Sequence, residues 1–225
     1  MRSYAYCSIS SAPPNRTGPT LDAQIMMHGC SQKTSPTKSA SEAKPVGNLA
    51  ESHAMKHTED QLCEMFADGI RDSPELCAWL LSKTKFAQQA AECRLLHEEQ
   101  MSIRPRKRWW RHWWCVVPGL GKGRETDIFM VFEVSPGGPR FALHIENKRD
   151  SYKFNEGQAA AYAPRAQGML NKPEYLSYSE YQTVLLAPRR FRDRHEADAS
   201  LFDVFLSYEE VARFLPAFGA TPVSN

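Results

Sequence analysis

Three charged residues stand at the ends of one strongly apolar stretch: Asp127 ahead of the run IFMVFEV, and Glu146 and Lys148 at the end of FALHIENK. Two carboxylates that meet can share a hard divalent cation, and an ammonium beside them can steady developing negative charge. Whether these three meet depends on what lies between them. Residues 125–148 read as two runs rich in Phe, Val, Ile and Leu around Ser-Pro-Gly-Gly-Pro, the pattern of a β-hairpin with a glycine turn. Side chains alternate faces along a strand, so Glu146 and Lys148 share one face, Ile145 and Asn147 the other, and Phe141, Leu143 and Ile145 point to the core. A two-residue turn at Gly137 and Gly138 pairs Pro136 with Pro139 and sets Asp127 opposite Lys148, on the Glu146 face. A five-residue loop from Ser135 to Pro139 shifts the pairing by one and needs a bulge to restore that face.

The hairpin must be held by neighbouring elements. Thr58-Glu-Asp-Gln61 has the form of a capping box ahead of Leu62, Met65 and Phe66 at helical spacing. Ser73-Pro74 opens a second helix with the apolar stripe Leu76, Cys77, Leu80, Leu81, and a third helical segment is predicted from about Phe86 to Gln100. Residues 104–117 mix arginines with Trp109, Trp110, Trp113 and Trp114, and alternation there predicts a strand buried in part on both sides, with base stacking by a tryptophan as the minority alternative. After the hairpin, Gln158, Tyr162 and Arg165 recur on one helix face, which Pro164 kinks or ends near Ala163. Thr183–Ala187 is a short apolar strand, so strand, helix and strand form a βαβ unit with a right-handed crossover. Phe202–Leu206 reads as an edge strand, and Ser207-Tyr-Glu-Glu210 as a further capping box before a helix that Pro216 ends. The fold class is α/β, with a mixed central sheet flanked by helices in one domain over 57–225. Residues 1–56, rich in Ser, Pro, Thr and Lys without periodicity, read as a disordered or loosely attached leader, and Met55 is a candidate translation start.

Composition limits the partners. A hydrophobic fraction of 42% with 24% charged residues is that of a globular protein, and a net charge of +2 selects no partner by itself. The distribution says more: Arg104, Arg106, Lys107, Arg108, Arg111, Lys122 and Arg124 fall in one window without an acid, and Arg189, Arg190, Arg192 and Arg194 form a second cluster, both suited to a polyanion. The six cysteines are scattered without close pairing, as expected for reduced thiols, and no apolar run reaches the ~20 residues that cross a bilayer, so a cytoplasmic, non-membrane protein is expected. Cys93, His97, His112 and Cys115 are spaced loosely like a zinc set, although the first pair lies in a helical pattern where a buried cysteine needs no metal.

Glu125-Thr-Asp127, the strand ending Ile145-Glu-Asn-Lys148, and the following Gln158 and Tyr162 together resemble the PD-(D/E)XK nuclease superfamily over most of 57–225. The resemblance implies a restriction-endonuclease-like fold and a metal-dependent nuclease acting on DNA. It implies that Asp127 and Glu146 bind Mg²⁺ or Mn²⁺ with the main-chain carbonyl of Asn147, that Lys148 orients or deprotonates water or acts as a fixed charge, and that Glu59, with Glu64 as rival, joins from the first helix. Gln158 would support the site. Tyr162, Arg189, Arg190 and the first basic window would hold nucleic acid, and whether two copies pair as a homodimer to cut both strands is left open. The alternatives are a metal-dependent ribonuclease and a catalytically silent module that binds nucleic acid or protein. Pro164 departs from the pattern. An acidic-x-Lys triplet alone is a weak signal, and its weight comes from the conjunction with the upstream Asp, the Gln helix and the Glu helix.

Overall fold

A computed structural model of the chain describes residues 57–104, 108–116 and 123–219. The leader and the basic residues Arg106, Lys107 and Lys122 lie outside the described residues. In chain order the elements are α1 (Glu59–Asp72), α2 (Pro74–Ser82), β1 (Cys93–Leu95), α3 (His97–Ile103), β2 (Trp113–Val116), β3 (Gly123–Thr126), β4 (Ile128–Val134) and β5 (Arg140–Asn147). There follow α4 (Tyr162–Met169), β6 (Glu180–Ala187), α5 (Arg189–Arg194), α6 (Glu196–Ala199), β7 (Val204–Ser207) and α7 (Tyr208–Val211). The fold is α/β. Its central sheet has five strands in the order β1-β4-β5-β6-β7, antiparallel from β1 to β5 and parallel from β5 to β7, and β2 and β3 form a separate two-stranded sheet.

Both faces of the central strands are covered, which is why β4 and β5 read as near-continuous apolar runs. Ile128, Met130, Phe132, Phe141, Leu143 and Ile145 pack with α1 and α2, whereas Phe129, Val131 and Ala142 pack on the other face with Trp113, Met169 and Tyr178. Both expected capping boxes form: Thr58 with Gln61 starts α1, and Ser207 with Glu210 starts α7. The parallel neighbour of β5 is present and begins at Glu180, and the edge strand is β7.

Four expectations are corrected. The region 86–100 is not one helix: a 3-10 turn (Ala87–Glu92) leads into β1 and then α3. The buried Gln100 side chain binds the carbonyls of Trp109 and Phe129 and the amide of Val131, each at 3.0 Å, so tertiary bonds to β4 override helical continuity. The tryptophan strand spans only 113–116, because His112 takes a φ of 66° and turns the chain. Pro164 does not end its helix. It lies in the first turn of α4, where an amide hydrogen has no partner to lose.

The fourth correction is the hairpin register. β4 and β5 pair Glu133 with Arg140 and Ile128 with Ile145, two residues away from the expected Gly-Gly turn. Ser135 (φ 60°) and Gly137 (φ 77°) adopt left-handed backbone, and Gly138 donates to the Ser135 carbonyl at 3.0 Å, closing a loop over 135–138. The Glu133 carboxylate bonds Arg140 across the strands at 2.9 Å, which anchors this register. A shift of two preserves the faces, so no bulge is needed, and the register continues to place Asp127 against Glu146 instead of Lys148.

Candidate active site

The end of the β4–β5 hairpin gathers the charged residues. Glu146 is almost fully buried and receives three donors: Lys148 Nζ at 2.6 Å and Gln158 Nε2 at 2.6 Å on Oε1, and the Tyr162 hydroxyl on Oε2. Asp127, one residue before β4, accepts the Asn147 amide N–H on Oδ2 at 3.0 Å. Tyr162 links the Glu146 carboxylate to the Asp127 main chain, since its hydroxyl also accepts the Asp127 amide N–H at 3.5 Å. Glu59 comes from the first turn of α1. Its carboxylate acts on Asp127, Glu146 and Lys148 electrostatically, and its Oε2 is buried without a hydrogen-bond partner. Glu64 instead faces Arg108 at 3.4 Å, so of the two glutamates it is Glu59 that lies near Asp127 and Glu146.

The electrostatics report one unbalanced centre. Burial, followed by the charges of Glu146 and Glu59, pushes the Asp127 carboxyl well above the usual range, and burial raises Glu59 as well. Burial pulls the Lys148 ammonium down, but Glu146, Asp127 and Glu59 outweigh it and raise its proton affinity, so Lys148 holds its proton here. Three carboxyl groups therefore surround one ammonium, and the Arg149 guanidinium also acts on Glu59.

Asn147 points to the opposite face, as alternation requires. Its side chain donates to the Glu59 carbonyl at 3.3 Å and to Cys63 Sγ at 3.2 Å, and accepts from the Tyr208 hydroxyl at 2.7 Å, which ties the start of α1 to β5. Its expected carbonyl contact with a metal is a separate matter from this positioning role. Tyr162 is fully buried, so its expected contact with nucleic acid is corrected to an internal hydrogen bond. Arg165, on the same helix, is also buried and bonds the Glu125 carbonyl and Thr126 Oγ1, directly before Asp127. Sequence spacing placed Arg165 on this face without giving it a task, because its acceptors are backbone atoms of another element.

The arginine clusters are less free than their sequence window suggests. Arg111 pairs with Asp60 and Arg108 with Glu64, so acids from α1 supply what the local sequence lacks. Arg190 and Arg194 bind the buried Asp150, clamping α5 to the segment after Lys148, while the Arg189 amide bonds Glu209. Arg104 bonds the His112 carbonyl and lies 4.4 Å from the Trp113 ring. His144 is packed between Thr126 and the Tyr178 hydroxyl, and burial lowers its pKa to about 3, so it is a neutral core residue.

An open cavity of about 510 Å³ adjoins the site, lined by Glu59, Lys148, Ser151, Tyr152, Lys153 and Asn155. Among the described residues no three His, Cys, Asp or Glu side chains form a ready-made metal cage, and the loosely zinc-like set is dispersed: Cys93 bonds the Gln89 carbonyl and His112 bonds Glu125. No described helix is long and apolar enough to cross a membrane. Compared with known protein families, curated proteins and solved structures, the chain matches none.

Proposed function

We propose that the chain is a metal-dependent nuclease of the PD-(D/E)XK kind, with a restriction-endonuclease-like fold, hydrolysing phosphodiester bonds in DNA. The observation that carries this reading is the convergence of Asp127, Glu146 and Glu59 around Lys148, with Asp127 raised by burial and then by the charges of Glu146 and Glu59, and with a Glu59 oxygen left unpartnered in the interior. A hard cation fits that donor set. Mg²⁺ uses one or two carboxylates and keeps waters, so it needs no all-protein cage. Asp127 and Glu146 would hold it with the Asn147 carbonyl, and Glu59 stands as a further acceptor. Such an ion lowers the pKa of bound water and neutralises charge on the phosphoryl oxygens.

The chain's own groups divide the remaining work. Tyr162 and Gln158 fix the Glu146 carboxylate, and Asn147 fixes Asp127 through its amide and Glu59 through its side chain. Lys148, which keeps its proton, serves as a fixed positive donor to the reacting oxygens in preference to a base. The cavity beside Lys148 is the path for the substrate strand.

One observation favours the silent-module reading: Glu146 already takes three internal donors, from Lys148, Gln158 and Tyr162. The two readings part in a single assay on plasmid, linear duplex, single-stranded DNA and RNA. Cleavage is expected with Mg²⁺ or Mn²⁺, is abolished by EDTA, and falls at least about 100-fold in Glu146→Gln and Lys148→Ala, the scale of losing a transition-state charge. Equal cutting by both variants and the parent would sink the nuclease assignment. Binding without cutting would establish the silent module.

A further inference from the structure

Arg165 is a buried guanidinium that pairs with no carboxylate among the described residues. Its Nη1 donates to the Glu125 carbonyl and, at 3.3 Å, to Thr126 Oγ1, its Nε has no partner, and its Cζ lies 4.2 Å from the centre of the Tyr162 ring. Burying a charge without a counter-ion opposes folding, and an apolar side chain of similar volume often serves a core as well or better. The guanidinium has to be explained by what it holds.

What it holds is the chain immediately before Asp127. Helix α4 grips three consecutive residues: Arg165 takes the Glu125 carbonyl and the Thr126 hydroxyl, and Tyr162, one turn earlier on the same face, takes the Asp127 N–H. Asp127 itself pairs in neither sheet, since the β2–β3 register reaches Thr126 and the β4–β5 register begins at Ile128. The Thr126 hydroxyl then continues the contacts inward. It lies 3.3 Å from His144 Nδ1, His144 Nε2 lies 3.0 Å from the Tyr178 hydroxyl, and that hydroxyl donates to the Ala166 carbonyl at 2.7 Å. The two ends fix the direction of every bond. Tyr178 has one hydroxyl hydrogen and gives it to Ala166, so His144 donates from Nε2, and Nδ1 is the acceptor of a neutral imidazole. Thr126 therefore donates to Nδ1 while it accepts from Arg165; a protonated imidazole would set two cations on one hydroxyl. The bonds close into a ring, because Arg165 and Ala166 are neighbours on α4.

We infer that Arg165, Thr126, His144 and Tyr178 form a closed positioning circuit for the Asp127 carboxylate, which sets its angle to Glu146 and Asn147 from the interior. None of the four lines the cavity beside Lys148, so they act through Asp127 and not on substrate. The inference rests on the proposed nuclease reading for its catalytic consequence, and it goes beyond that reading in giving these four residues a task.

The test uses the full chain and three variants: Thr126→Val, Arg165→Met, and Thr126→Ser, which keeps the hydroxyl. Amide hydrogen exchange followed by NMR in EDTA reads the two N–H groups around Asp127: its own, which Tyr162 accepts, and that of Asn147, which the carboxylate accepts. Thr126→Val and Arg165→Met are expected to speed exchange at both about tenfold, the scale of one hydrogen bond, while the other amides of β4 and β5 keep the parent rate. In the cleavage assay kcat is expected to fall about tenfold with KM unchanged, as for a group that supports a metal ligand, and Thr126→Ser is expected to restore most of both effects. Unchanged exchange at Asp127 and Asn147 in both variants overturns the circuit and leaves the nuclease reading standing. A uniform rise across the sheet, or loss of folding in both variants, does the same, because these bonds would then be general supports of the core. A rise in KM with kcat preserved also overturns the circuit, since it marks a contact with substrate. A parent that cuts no nucleic acid while both amides respond as expected overturns the nuclease reading alone, and the circuit stands as what holds Asp127.

Discussion

Asp127 illustrates how a residue suited to chemistry is a burden on folding. Its carboxyl is crowded by Glu146 and Glu59, and each unneutralised carboxylate in that space opposes the folded state. Asp127→Asn keeps an oxygen that can accept the Asn147 N–H while removing the charge. We expect it to raise the melting temperature of the cation-free protein at pH 8 and to remove the additional stabilisation that Mg²⁺ or Mn²⁺ gives the parent. Thermal melts with and without EDTA read both effects, and a variant less stable than the parent in EDTA would contradict the charge argument. At this scale the sequence showed a good deal. Period-two alternation assigned Asp127 and Glu146 to one face and Asn147 to the other, and that survived a wrong turn because the error was an even number of residues. What stayed hidden was the choice between Glu59 and Glu64, since it depends on Arg108 reaching Glu64 from a distant part of the chain.

Elements position these residues through a few specific bonds. The α1 capping box sets where the helix begins, and therefore where Glu59 stands relative to the Asn147 side chain that holds its carbonyl. Thr58→Ala is expected to cost about 1 kcal/mol, the usual loss for an N-cap. If the cap also positions Glu59, cation affinity measured by calorimetry falls along with stability; an unchanged affinity would show that Asn147 alone suffices. The helices with caps and the strands with unbroken apolar runs were readable because their signals are local. The segment 86–100 was not, because Gln100 takes its partners from β4 and from Trp109. The turn at 135–138 was misread for a similar reason: two adjacent glycines suggest a tight turn, yet Ser135 and Gly137 carry the left-handed backbone and Glu133 with Arg140 fixes the pairing.

The whole molecule should show these charges as a stability profile with two limbs. His144 is lowered to about 3 from 6.5, so its folded form binds fewer protons than the unfolded chain. Its contribution is full above about pH 6.5 and is lost as pH falls toward 3, on the order of 5 kcal/mol over the whole interval. Asp127 runs the other way: raised above 3.8, it favours the fold below that value and withdraws support as pH rises through its higher folded value. Calorimetric melts from pH 4 to 9 should show the two slopes opposing each other, with His144→Gln removing the rise toward pH 6.5 and Asp127→Asn removing the fall that begins above 3.8. A saturating divalent cation should lift the melting temperature above pH 6.5 by about 5–10 °C, as a ligand at ~100 times its Kd does for a domain of this size. A fall that Asp127→Asn leaves in place and the cation leaves unmoved would mean that Asp127 is not the strained group. One feature of the backbone links this profile to the small sheet. Thr126 is the last paired residue of the small sheet and Ile128 the first of the large one, so Asp127 alone spans the gap between two ladders. It is a torsional joint as well as a charge: any twist of the small sheet against the large one passes through the backbone of that single residue, and the Asn147 N–H that its carboxylate accepts holds the joint at one setting.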